Sequence, residues 1–67
     1  MELVAAVRRN DWDMVRLRLH PYLHWYTSGG EVRGRDNVLA MLRSGRARVA
    51  PSAYELRDGQ IYRWWDT

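Results

Sequence analysis

Tyr54-Glu55-Leu56-Arg57-Asp58-Gly59-Gln60-Ile61-Tyr62-Arg63-Trp64-Trp65 is the stretch on which the fold turns. Two short runs rich in β-favouring residues flank Asp58-Gly59. That dipeptide supplies the positive φ angles a two-residue type I′ turn requires. A hairpin built on it sets Leu56 across from Ile61 and Glu55 beside Tyr62. Regular alternation then places Ile61, Arg63 and Trp65 on one face of the last strand, with Tyr62 and Trp64 on the other.

The same logic works upstream. Tyr22 to Thr27 is dense in aromatic residues, Ser28-Gly29-Gly30 signals a turn, and Glu31 to Arg33 returns as a second strand. Alternation puts Leu23 and Trp25 on one face and Tyr22, His24 and Tyr26 on the other. Ahead of this hairpin, Leu3 and Val7 mark a short helix over Glu2 to Arg9. Asn10 or Asp11 caps a second helix, whose buried stripe is Trp12, Val15 and Leu19. Pro21 ends that helix near Leu19, which leaves His20 at its end. Between the hairpins, Gly34 opens a third helix with Asp36 in its first turn, Val38, Leu39 and Leu42 as its apolar stripe, and Gly45 as its stop. Arg46 to Pro51 is a connector. The expected fold is α+β, in the order α-α-β-β-α-β-β, with a curved antiparallel sheet packed on helices.

Three stretches resemble one family. Asn10-Asp11-Trp12-Asp13 with Leu19-His20-Pro21-Tyr22-Leu23-His24-Trp25 is similar to the second helix and first strand of nuclear-transport-factor-2-like (NTF2-like, SnoaL-like) proteins. Gly34-Arg35-Asp36-Asn37-Val38 resembles the glycine-led start of their third helix, and Glu55 to Trp64 their closing hairpin. The resemblance implies that family's fold over residues 1–67 as one domain. It also implies a shortened form, because the closing hairpin follows the third helix almost at once and a central pair of strands is missing. Much of the wall of the family's pocket goes with those strands.

Length and composition point to self-association. A chain of 67 residues buries only about 60% of the surface its unfolded form exposes, so its core needs reinforcement. Cysteine is absent, which removes disulfides and thiolate metal sites. The last strand carries large groups on both faces, and one layer of helices covers only one of them. A homodimer is therefore expected, with Tyr22, His24, Tyr26, Tyr62 and Trp64 as the self-association face. The N-terminal residues lack the uncharged apolar core of a secretory signal, and no window approaches a membrane span, so a soluble cytoplasmic protein with no membrane contact is expected.

The chemistry-bearing residues are few. His24, between two tyrosines on a strand, is a candidate general base. Asp66 resembles an acidic residue found after the closing strand in the family, which makes it the other weak catalytic candidate, for isomerase-, cyclase- or hydrolase-type chemistry. His20 and His24 have the spacing of a helical metal pair, but Pro21 breaks the helix that would align them, so no metal is expected. No phosphate loop or nucleophile-base pair is present, and no cofactor is implied. Trp25, Trp65, Arg63, Trp12 and Tyr54 are the residues expected at a pocket for a small apolar ligand, with Trp25 and Trp65 pointing inward together. The net charge is +3, from eleven arginines against eight acidic residues. Arg8, Arg9, Arg16, Arg18, Arg43, Arg46 and Arg48 are divided among three elements without a recognition motif, which disfavours a nucleic-acid partner. The function read from the residues is a non-enzymatic small-molecule-binding or interaction module that self-associates.

Overall fold

Helix starts and stops fall where backbone chemistry places them. In the computed structural model, which describes residues 2–45 and 51–66, the elements are α1 (Glu2–Arg8), α2 (Trp12–Arg18), β1 (Leu19–Thr27), β2 (Gly30–Arg33), α3 (Arg35–Arg43), β3 (Ala53–Arg57) and β4 (Gln60–Asp66). The carboxylate of Asp11 accepts from the Met14 amide and caps α2. Leu19 ends that helix in extended geometry and at once begins β1. His20 therefore lies in a strand, not at a helix end as expected. Pro21 disfavours helical geometry in the residue before it, and the chain is already extended at Leu19, the last residue of the expected apolar stripe. The part of the expected connector from Arg46 to Ala50 lies outside the described residues.

The four strands form one sheet in the order β2-β1-β4-β3. Both hairpins are antiparallel, but the central pair, β1 with β4, is parallel. The expectation of a wholly antiparallel sheet is corrected accordingly. The chain leaves the first hairpin, crosses through α3 and returns with a second hairpin, and the last strand of that hairpin docks beside β1. A crossover of this length is what parallel neighbours require.

The closing hairpin has its Asp58-Gly59 turn, with φ of 53° and 76° at the two residues, and Leu56 pairs with Ile61. One step later the register shifts, and Glu55 pairs with Arg63 instead of Tyr62. Tyr62 is the extra residue of a β-bulge. The bulge resets the alternation of everything after it. Ile61 and Trp64 point to the helices and are buried, whereas Tyr62, Arg63 and Trp65 lie on the opposite face.

The core sits between the helices and one face of the sheet. Leu3 and Ala6 of α1, Val15 of α2, and Val38 and Leu42 of α3 close over Leu19, Leu23, Trp25, Ile61 and Trp64. Its centre is a stacked pair, Trp25 on Trp64, with ring centroids 4.5 Å apart and planes 12° from parallel. Both indoles are fully buried. Neither indole N–H has a hydrogen-bond partner among the described residues. No helix among the described residues is long and apolar enough to cross a membrane.

Candidate functional site

The face of the sheet turned away from the helices is built by cross-strand register. In the first hairpin, Arg33 lies opposite His24 and Glu31 opposite Tyr26. Across the parallel pair, Arg63 lies opposite His24 and Trp65 opposite Tyr26. On the far side, Glu55 faces Arg63 and Arg57 faces Gln60. No helix or strand among the described residues lies over this face.

Its aromatic rings contact one another in a continuous row. His20 and His24 both meet Tyr62 in T-shaped contacts, at 5.1 and 5.7 Å. His24 stacks on Tyr26 at 6.3 Å, and Tyr26 stacks on Trp65 at 5.5 Å. The guanidinium groups of Arg57 and Arg63 lie 5.0 and 5.3 Å from the centre of the Tyr62 ring, within the range of a cation–π contact. Mutual packing leaves most of these rings half-buried; Tyr22, at the margin, is 76% exposed.

Hydrogen bonds assign the imidazole protons. His24 Nδ1 lies 2.7 Å from Glu31 Oε1, and Arg33 donates to the same oxygen at 3.1 Å. Those bonds, that of His24 first, hold the Glu31 carboxyl below its ordinary pKa, so it is ionised at neutral pH. A carboxylate only accepts, so neutral His24 carries its proton on Nδ1 and offers a lone pair at Nε2. His20 is the reverse case. Its Nδ1 accepts the Tyr22 amide at 3.1 Å, so its proton sits on Nε2. The same face thus presents one imidazole acceptor and one imidazole donor, both in contact with Tyr62. Arg63 donates to Glu55 at 2.7 Å, and that carboxylate raises the arginine's pKa further.

The structure redistributes the residues expected at a pocket. Trp25 is in the core, as its strand position implies, but its partner is Trp64 and not Trp65. Trp64, expected at the self-association face, is fully buried, and Trp65 takes that place on the outer face. Arg63 faces outward, paired with Glu55. One misplaced alternation, caused by the bulge at Tyr62, accounts for all three corrections. Trp12 packs half-buried against the core from α2. Tyr54 lies on the helix side of the edge strand β3, 46% exposed. There it joins Glu2, Leu3, Arg18, Leu56 and Ile61 around an open groove of about 190 Å³. Asp66 ends β4, half-buried, in register with Thr27. Tyr22, His24 and Tyr26 share the outer face as alternation in β1 implies, and Tyr62 joins them from β4.

Glu31, Glu55 and Arg57 were not singled out as site residues by sequence reasoning. The signal for Glu31 is the two-residue turn at Ser28-Gly29, whose register places it across from Tyr26. Among the candidate basic-surface residues, Arg9, Arg16 and Arg18 are paired with Asp11, Asp36 and Glu2. Arg46 and Arg48 lie outside the described residues. No group of three or more histidine, aspartate or glutamate side chains converges among the described residues as a metal site would require.

No family model matches the sequence, and no curated protein matches it significantly. Solved structures do match the fold. An NTF2-like protein of unknown function from Cytophaga hutchinsonii superposes with a TM-score of 0.81 at 11% identity, covering 96% of this chain and 80% of that one. A protein from Kribbella flavida superposes with a TM-score of 0.77 at 14% identity, covering 96% of this chain and 78% of its own. The chain therefore has an NTF2-like α+β fold. Identities this low establish the architecture and leave the activity open.

Proposed function

We propose that this chain is a non-enzymatic binding or interaction module that self-associates through the outer face of its sheet. The observation that carries this is the row His20, Tyr62, His24, Tyr26 and Trp65, with no helix or strand among the described residues laid across it. In a chain this short, covering such a row adds apolar burial that a single core cannot supply. Sedimentation equilibrium over a dilution series, with folding followed by circular dichroism, tests it. Dimerisation in the low micromolar range, weakened by Trp65→Arg without loss of fold, is the expected result. A folded monomer at hundreds of micromolar refutes it. The groove beside Tyr54 and Leu56 is the place proposed for a small apolar ligand, since Leu3, Tyr54, Leu56 and Ile61 line it beside the Arg18–Glu2 pair.

A second reading has its own observation in favour. The Glu31–His24 pair has the geometry of an oriented general base, with Nδ1 held by a carboxylate and Nε2 bare. A small isomerase, cyclase or hydrolase using His24 would lose turnover in His24→Gln and keep its fold. Activity that survives that substitution removes this reading.

A further inference from the structure

The groove beside β3 pairs apolar walls with one ion pair. Leu3 of α1 and Ile61 of β4, both almost fully buried in the core, contribute to its lining. So do Tyr54 and Leu56, two residues apart on β3 and register partners of the helix-facing Trp64 and Ile61. They stay 46% and 58% exposed, so much of their apolar surface remains in water. Where α1 begins and α2 ends, the Arg18 guanidinium donates to the Glu2 carboxylate at 3.2 Å, and both residues line the groove. The partners of this pair are unequally satisfied. The Glu2 carboxylate is half exposed, and water solvates it with or without Arg18. Arg18 carries five N–H donors. Among the described residues Glu2 is its one side-chain hydrogen-bond partner, and its Nε is buried with no acceptor.

We propose that the groove takes a small aromatic or branched-chain monocarboxylate, whose carboxylate displaces that of Glu2 from Arg18 while its apolar part lies on Leu3, Tyr54, Leu56 and Ile61. The proposal rests on the groove as the ligand site put forward above and names the ligand's class. Size sets one limit. A cavity of about 150 Å³ holds benzene, so an open groove of about 190 Å³ holds a ring with a short acid arm. Charge sets the other. An exposed ion pair contributes little, so exchanging one carboxylate for another on Arg18 is cheap. The end of the guanidinium fork matches a carboxylate with two parallel bonds, where Glu2 takes one. Burying the ligand's apolar part then supplies the preference for the ligand over Glu2. An amine is the poorer occupant, because it meets the Arg18 cation beside Glu2. In the empty groove Glu2 is thus an internal competitor for the ligand's anchor.

Titrating the full-length chain at neutral pH with phenylacetate, phenylacetamide and 2-phenylethylamine, followed by amide chemical shifts in NMR, tests this. The probes share a ring and differ in the charge of the head group. Phenylacetate is expected to move the amides of Leu3, Arg18, Leu56 and Ile61, and to bind about fivefold or more tighter than phenylacetamide. Arg18→Gln brings the two to equal affinity. Glu2→Gln removes the competitor and tightens phenylacetate binding about two- to fivefold. Were the Arg18–Glu2 pair only a tie between α1 and α2, that second change would lower stability and leave binding no tighter. Circular dichroism checks the fold of both variants, and should Arg18→Gln unfold, the Glu2→Gln result decides. Equal binding of acid and amide by the wild type, or preference for the amine, refutes the anchor and leaves the groove as an apolar ligand site. If no probe moves the groove's amides at millimolar concentration, both readings fall together.

Discussion

Replacing Trp64 and Trp65 separately by phenylalanine tests the bulge at Tyr62, on which the assignment of every residue to core or outer face depends. Trp64 is fully buried, stacked on Trp25 and tilted against Tyr54. Its indole N–H has no partner among the described residues, so phenylalanine forfeits packing and no hydrogen bond. Removing about 50 Å² of buried apolar surface costs about 1.2 kcal/mol by transfer, and the residual cavity brings the total to about 1–3 kcal/mol. Alanine is the wrong choice. It costs about 3–5 kcal/mol, against about 3–10 kcal/mol of total stability for a chain of this length. Trp65 stacks on Tyr26 at the half-buried outer face, and phenylalanine keeps that stacking. At a protein concentration below the dimer dissociation constant its cost stays under about 0.5 kcal/mol. Urea unfolding followed by circular dichroism, at low and high protein concentration, separates the cases. The Trp64→Phe loss is present at both concentrations, and any Trp65→Phe loss grows with concentration. A larger loss for Trp65→Phe at low concentration would falsify the bulge and restore regular alternation.

Three further outcomes follow from local features. Gly59 sits at φ 76° in the closing turn, so Gly59→Val forces a β-branched residue into left-handed geometry. It destabilises by about 1–3 kcal/mol, read as a shift in urea midpoint. Asp11→Ala removes the acceptor for the Met14 amide and costs about 1 kcal/mol in the same assay. The Glu31 carboxyl is held below its ordinary value of 4.5, first by His24 and then by Arg33. A depressed carboxylate contributes stability that is present above its unfolded-state pKa and lost as pH falls through its folded one. Wild type therefore loses more stability between pH 5 and pH 3 than Glu31→Gln does, by a margin that solvent screening keeps small. Equal slopes in the two proteins would contradict the His24–Glu31–Arg33 arrangement.

Local chemistry made most of the elements legible. Asp58-Gly59 required its turn, Asp11 its cap, Pro21 the end of α2, and the spacing of Val15, Val38 and Leu42 the buried helical faces. Each depends on a few adjacent residues and a backbone preference that acts without the rest of the chain. The faces of β1 were legible too, because alternation holds over Leu23 to Tyr26. Alternation failed in β4, since a bulge depends on which residue of the neighbouring strand each amide meets, and that register is settled by docking the hairpin against β1. Packing the Trp25–Trp64 stack into the core fixes that docking and turns Trp65 outward. The parallel pairing of β1 and β4 is a long-range consequence of the α3 crossover. So is the gathering of Arg33, His24, Arg63 and Glu55 from four strands onto one level. A sequence carries the identity of those groups, but only the register of the assembled sheet makes them neighbours.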